Sequence, residues 1–495
     1  MSYKIYSCII VGTGFSGIAM AIKLKEKGID NFIILEKANE VGGTWRENTY
    51  PGAECDIPSA LYSYSFEPNP NWEYKWSMQP QILEYIKHVA SKRDIYKHIQ
   101  FGKELVGAEW QEKESAWKIE TRGGTSYNAK TFVSAIGQLH IPSTPNFNGK
   151  DTFTGPSFHS AEWDHSVSLE GKTVGVVGNA ASAVQFIPEI AETAGTVKIF
   201  QRSANWMLPK QDRLYKEWEK KLVKRFPIIL KLYRLKIWTL GGALFFLMKN
   251  GNDFLRKTYQ NKTIAFIKEN IKDPEVVEHL TPDYPMGAKR ILFSDTYYPA
   301  LARPNVELIT GGVQEITSSG VITGNGAAHD VDVLIYSTGF KTNPFLYGLD
   351  ITGKDGISIR DAWKDGPTNY LGMTVSNFPN LFLMYGPNTN LGHNSIIIMS
   401  EAQAGYIAQC VKAIQQNNWG SIDISLTAMQ SYHQDAQKRL GEMIWASVEN
   451  SWYKSANGNI PNNYPGRTME YMKKTKKVDF DVYIISKKSH KHKAI

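Results

Sequence analysis

Two glycine-punctuated turns of the same kind occur in this chain, and each is followed at the same distance by a charged residue of opposite sign. The first is Gly12, Gly14 and Gly17 with Glu36; the second is Gly178, Ala180 and Ala183 with Arg202. Glu36 and Arg202 each come 19 positions after the last residue of their turn. The apolar run Ile5 to Val11 leads into the first turn and Ile18 to Leu24 continue with helical periodicity, so the glycines fall where strand passes into helix. Val174 to Val177 repeat that layout ahead of the second turn. The pattern predicts an α/β chain with two Rossmann-like dinucleotide-binding domains. An acidic residue at the closing position accepts hydrogen bonds from ribose hydroxyls, whereas an arginine there suits a 2′-phosphate. The order therefore reads as FAD first and NADPH second. Phe15 and Ser16 inside the first turn, and Ser203 beside Arg202, are expected nucleotide neighbours. Ala180 replaces the glycine at which backbone approaches the pyrophosphate, which predicts a slightly displaced second nucleotide.

At 495 residues, 42% of them hydrophobic and 21% charged, the chain can build two or three ordinary cores. Only Cys8, Cys55 and Cys410 occur, with no close pair, which argues against a disulfide scaffold, a thiolate metal site or a redox-active disulfide. The first strand begins too near Met1 for a cleavable leader, so a cytoplasmic location is expected. A net charge of +8 is spread without a nucleic-acid reader motif, and no nucleic-acid partner is expected. Basic residues from Lys210 to Arg225 precede the apolar run Ile237 to Met248. Twelve residues are too few to span a bilayer, which needs about 20. The run reads as part of a helical insertion, about 208–285, packed over the second nucleotide unit and the substrate cleft. A weak peripheral membrane contact through 220–250 is the second reading.

Between the two units lies Phe153-Thr-Gly-Pro-Ser-Phe-His-Ser-Ala-Glu-Trp-Asp164, and earlier come Gly42-Gly43-Thr44-Trp45, Tyr50-Pro51-Gly52 and Asp56. These resemble the two fingerprints of type I Baeyer-Villiger monooxygenases, FxGxxxHxxxW[P/D] and GGxWxxxx[FY]PGxxxD. Gly43 to Gly52 and Gly386 to Ser395 are most similar to the hydroxyacetophenone monooxygenase-like branch. The resemblance runs from Ile9 to the Trp452 region. It implies an FAD domain of 1–142 and 342–495, interrupted by an NADPH domain of 143–341.

The resemblance also implies roles. Thr44, Trp45, Arg46, Glu47, Tyr62 and Ile396 would border the flavin, and Lys289 would help Arg202 hold the 2′-phosphate. Ser182 and Gln185 are further NADPH candidates. Arg290, paired with Asp56, would be the catalytic cation beside a flavin C4a-peroxide and the oxyanion formed when that attacks a ketone. Trp452 would sit on a lid over the substrate. His159 reads as a hinge or packing histidine and Trp163 as an interdomain anchor. No metal is expected.

The implied function is NADPH- and O2-dependent conversion of ketones to esters or lactones, with sulfide oxidation besides. Two rivals stand beside it: an N- or S-hydroxylating flavin monooxygenase, and a flavin redox partner that transfers no oxygen. Arg290 with Asp56 discriminates against the first, since an amine generates no oxyanion to stabilise. Only the absent cysteine pair and the lid-like loop speak against the second.

Overall fold

The structure is a computed structural model that describes residues 4–343, 345–448, 453–455 and 458–487. A parallel strand covered on both faces must be apolar on both, and β1 (Ile5–Val11), β2 (Phe32–Leu35) and β8 (Thr173–Val177) all read that way. β1 lies between β2 and β6 (Ser126–Ser134), parallel to both, and β3 (Ile99–Gln100) extends the sheet beyond β2. β4 (Leu105–Gln111) and β5 (Ala116–Thr121) add an antiparallel meander to β6. Two late segments complete this sheet: Asp350–Thr352 runs parallel to β4, and Leu381–Leu383 parallel to the end of β6. The first sheet thus draws strands from both ends of the chain.

The second sheet is parallel throughout. Its order is Val306–Ile309, β9 (Thr196–Phe200), β8, Val333–Tyr336 and β7 (Ser157–His159). Two connections join the sheets, after Ser134 and after Tyr336, and they run side by side. Pro142 and Phe340 form an antiparallel bridge, Ser143 N donates to Gly339 O at 2.9 Å, and Lys341 N to Ile141 O at 2.9 Å.

Each sheet passes into a helix at its glycine turn, α1 (Phe15–Glu26) after β1 and α4 (Ala181–Ile190) after β8. Gly12 shows why that residue type is needed. Its φ is +102°, and a Cβ there would lie 2.6 Å from the Ala135 carbonyl oxygen.

The insertion is helical, as expected, but it does not lie only over the second unit. α5 (Glu217–Arg225), α6 (Pro227–Leu244), α7 (Asp253–Asn270) and α8 (Pro274–Leu280) follow one another. Ile267 of α7 and Leu280 of α8 enter the second unit's core. α6 instead crosses to the first unit, buries only Leu230 and is held by polar contacts. Arg234 donates to Ser63 Oγ at 2.7 Å and to the Ala60 carbonyl; Trp238 Nε1 reaches Thr468 Oγ1 at 2.8 Å; Asn394 donates to the Trp238 carbonyl at 3.0 Å. The end of the predicted apolar run, Phe245–Met248, is a 3₁₀ turn whose Phe245, Leu247 and Met248 enter a third core with Met286, Met443 and Trp445, while Phe246 stays exposed.

Trp163 is a correction. Half-buried, it packs edge-on against Phe158 and Phe186 on the second core rather than between units. Tyr50 makes the crossing instead, its ring edge-on to the same Phe186.

Candidate functional site

The two glycine turns open onto one cavity of ≈ 1220 Å³. Neither α1 nor α4 has a side-chain cap at its N-terminus, and neither carries an acidic residue in its first turn. Their leading N–H groups therefore remain available to an anion at the cavity wall, which is the requirement of a pyrophosphate. Gly14 (φ −71°, ψ −175°) and Ala180 (φ −87°, ψ −162°) stand at equivalent positions with nearly the same extended backbone. An alanine adopts that conformation without strain, so its only cost is the space of one methyl group.

Glu36, buried at the end of β2, has both carboxylate oxygens engaged. One accepts from Thr13 N at 3.0 Å and from Thr13 Oγ1 at 2.5 Å; the other accepts from Ala38 N at 3.0 Å and Arg46 Nη1 at 3.3 Å. A ribose hydroxyl would displace the Thr13 hydroxyl, which rotates freely, before any backbone bond.

The Thr44 to Glu47 segment is one turn of helix, α2 (Thr44–Glu47). It aims its side chains into a polar chain. Arg46 joins Glu36 to Glu47, Glu47 accepts from His140 Nδ1 at 2.9 Å, and Lys37 Nζ donates to His140 Nε2 at 2.9 Å. Burial pushes the Glu47 carboxyl up, but His140, Lys37 and Arg46 together outweigh it and hold the group below its ordinary value. On the opposite side Trp45 Nε1 donates to Tyr62 Oη at 3.1 Å, and Trp45 and Phe15 each set a ring edge against Tyr62. Ser16 Oγ lies 3.0 Å from Ser400 Oγ, on the helix that Ile396 begins.

Asp56 and Arg290, 234 positions apart in sequence, meet in this cavity. Arg290 Nε donates to Asp56 Oδ2 at 2.8 Å, and Nη2 reaches the same oxygen. The Asp56 charge pushes the guanidinium further up than burial draws it down. Asp56 is placed by the turn before it. Gly52 has φ +71°, and a Cβ there would stand 2.6 Å from Gln185 O and 2.9 Å from Glu189 Cγ. The Tyr50-Pro51-Gly52 turn is therefore pressed onto α4. Gln185 secures it, accepting from Tyr50 Oη at 2.8 Å and donating to the Glu54 carbonyl at 3.1 Å. Ser182 stands beside the same Tyr50 hydroxyl. Both Gln185 and Ser182 line the cavity, but the Gln185 amide is committed to this clamp.

Arg202 and Lys289 approach each other at the second turn, and neither forms an ion pair among the described residues. Burial and then the Arg202 charge hold the Lys289 ammonium below its ordinary value, and Lys289 Nζ sits 4.3 Å over the Tyr284 ring. Such mutual repulsion is relieved by a dianionic group between them. Ser203 lines the cavity next to Arg202, its carbonyl accepting from Asn179 at 3.1 Å.

Two residues escaped the sequence reading. Tyr453, buried, and Tyr385, half-buried, stand beside Arg290: desolvation pushes each phenol up to about 12, and the Arg290 charge opposes that rise. Tyr385 holds φ +57°, rare for an aromatic residue, and donates to Asn390 Oδ1 at 2.8 Å. Each adjoins a motif already noted, Gly386-Pro387 and Trp452. Trp452 itself lies outside the described residues. Past it the chain is pinned, with Asn388 N donating to Pro461 O at 2.7 Å and Tyr464 N to Asn390 O at 2.9 Å. His159 is buried away from the cavity, accepts from Ala161 N at 3.1 Å, and is held down to about 4 by burial. Its ring packs edge-on to Phe340 of the second connection.

Two phosphate-ready helix ends with opposite ribose partners, on one cavity with an arginine–carboxylate pair, define a flavoprotein that takes its electrons from a nicotinamide nucleotide. Among known proteins, a model of the pyridine nucleotide-disulphide oxidoreductase family matches residues 9–226. The disulphide part of that description has no counterpart here, since Cys8, Cys55 and Cys410 are all free and buried. A Baeyer-Villiger monooxygenase of Pseudomonas aeruginosa is 39% identical over 96% of this chain and 90% of its own length. One from Streptomyces coelicolor is 37% identical over 96% and 91%. The solved structure of OTEMO in complex with FAD and NADP superposes with a TM-score of 0.88 at 26% identity, covering 98% of this chain and all of that one. The chain belongs to the Baeyer-Villiger monooxygenase family.

Proposed function

We propose that the protein converts ketones to esters or lactones with NADPH and O2, and oxidises sulfides at the same site. FAD is bound by the first unit and NADPH by the second, and bound FAD supplies the means to accept hydride and activate oxygen. The FAD domain comprises 1–142 and 342–495, and the NADPH domain 143–341.

The chain's own residues then have distinct tasks. The α1 and α4 N-termini neutralise the two pyrophosphates. Glu36 takes the flavin ribose, while Thr44, Trp45, Arg46, Glu47, Tyr62 and Ile396 wall the flavin. Arg202 and Lys289 grip the 2′-phosphate. Arg290 keeps its charge at every working pH, so it stabilises the oxyanion that develops at the attacked carbonyl without exchanging a proton. Asp56 fixes the direction of the guanidinium. Trp452 covers the substrate, with buried Tyr453 holding the start of that segment near Arg290 and keeping water out. NADPH supply places the enzyme in the cytoplasm.

The observation that carries this reading is the Arg290–Asp56 pair inside the cavity shared by both turns. An N- or S-hydroxylating monooxygenase or a pure redox partner has no oxyanion for a fixed cation to stabilise there. The test is product analysis with FAD, NADPH and ¹⁸O2 across ketones, sulfides and amines. Esters carrying one ¹⁸O atom per NADPH consumed are expected. Formation of H2O2 alone, or of N-oxides without any ester, would overturn the reading.

A further inference from the structure

α5 and α6 present an apolar stripe to solvent that no other part of the described chain covers. Trp218 is 61% exposed, Ile228 and Leu232 each 58%, and Leu235 50%, with Leu222 and Phe226 between them. Ile228, Leu232 and Leu235 follow at four and three residues, so on α6 they form one face. Exposed Lys231 and Lys236 flank that face, and Lys221, Lys224 and Arg225 accompany the α5 part. Residues 213–257 contain 12 Lys and Arg against 3 Asp and Glu, a balance of +9. The whole chain carries only +8, so everything outside this segment sums to −1. Basic charge and exposed apolar surface therefore occupy the same place.

We infer that α5 and α6 dock on an anionic lipid surface. An exposed apolar helix face bordered by lysines inserts its side chains to the acyl boundary, while the ammonium groups reach back to lipid phosphates. No helix among the described residues is long and apolar enough to cross a membrane, and Lys231, Arg234 and Lys236 interrupt α6, so the helix lies in the interface plane. A second copy of the chain is disfavoured as the occupant, because apposing two such stripes brings two +9 segments together. The hydrogen bonds of Arg234 to Ala60 and Ser63 hold the far side of α6 against the segment that carries Tyr62, a cavity-wall residue. Docking thus brings the bilayer to about one helix diameter from that wall.

The test uses the full chain and flotation with vesicles of phosphatidylcholine, alone or with about one-third phosphatidylglycerol, at low and high salt. Binding to the anionic vesicles is expected to exceed binding to neutral ones at least tenfold and to fall with salt. The triple variant Ile228→Ser, Leu232→Ser, Leu235→Ser alters only exposed positions, and its folding is verified by its thermal midpoint. It should lose vesicle binding. Lys231→Glu with Lys236→Glu should weaken it at least about fivefold per charge. No binding at low salt, equal binding to neutral vesicles, or full binding by the folded triple variant would each overturn the inference. So would a dimer in sedimentation velocity that the triple variant abolishes, since the stripe would then belong to a second copy.

Discussion

Arg290 and Asp56 stand 234 positions apart in sequence and share one oxygen contact at 2.8 Å. A carboxylate on one edge of a guanidinium leaves the other N–H groups free to face a reacting oxygen. Arg290→Ala should separate the two halves of the reaction. NADPH oxidation continues, while ester formation falls about 100- to 1000-fold, the usual cost of losing one oxyanion donor. The missing oxygen should appear as H2O2 when product and peroxide are measured together; near wild-type ester yield would make Arg290 a structural cation. Arg202 is expected to discriminate coenzymes. A charged hydrogen bond to the 2′-phosphate contributes about 1.5–3 kcal/mol, so Arg202→Ala should lower the NADPH-over-NADH ratio of kcat/KM at least about tenfold. A wild-type enzyme with equal kcat/KM for both coenzymes would refute that role.

The element that most depends on a single residue is the turn from Tyr50 to Asp56. It belongs to the first unit by sequence but is seated on α4 of the second. An alanine at Gly52 would suffer both the left-handed backbone and a 2.6 Å approach to backbone oxygen that cannot move without shifting α4. Gly52→Ala should destabilise the protein by more than about 1 kcal/mol in denaturant unfolding. It should also depress ester formation more than flavin reduction, since Asp56 moves with the turn. An unchanged midpoint and unchanged coupling of NADPH to ester would show that the turn does not orient Asp56.

Across the whole molecule, buried titratable groups make opposite demands on pH. Burial holds His393, whose ring nitrogens have no hydrogen-bond partner, down to about 4 from an ordinary 6.5. The unfolded chain therefore takes a proton that the folded chain refuses, and the stability linked to His393 is present above pH 6.5 and lost as pH falls toward 4. Asp423 is the reverse: burial pushes it up to about 7 from 3.8, against two hydrogen bonds from Asn377 N, so its linked stability is present below pH 4 and lost as pH rises through 7. His393→Phe should gain Tm relative to wild type as pH drops from 6.5 to 4.5. Asp423→Asn should gain relative to wild type as pH rises from 4.5 to 7. Each difference has a slope of up to about 1.4 kcal/mol per pH unit. Parallel Tm curves for wild type and both variants would show that neither group titrates differently on folding.

By itself the sequence determined what is local and repetitive. The two strand-turn-helix units, their opposite ribose partners and the absence of a cysteine pair are short-range patterns, fixed by turn sterics and charge within about 30 residues. Resemblance extended that to Arg290 and Asp56, whose pairing no periodicity implies. Tertiary structure alone decided the rest, because it depends on which surfaces meet. Ala180 fits where a glycine was expected because the backbone there is extended, not left-handed. Gln185 is spent on a turn from the other unit. Tyr385 and Tyr453 reach Arg290 only because the return of the chain brings them there. The apolar run after Lys236 was legible as unusual, but the burial of Phe245, Leu247 and Met248 at its end, and the exposed α6 face of Ile228, Leu232 and Leu235 ahead of it, were not. Hydrophobicity says that a residue is apolar; only packing decides whether protein or something else covers it.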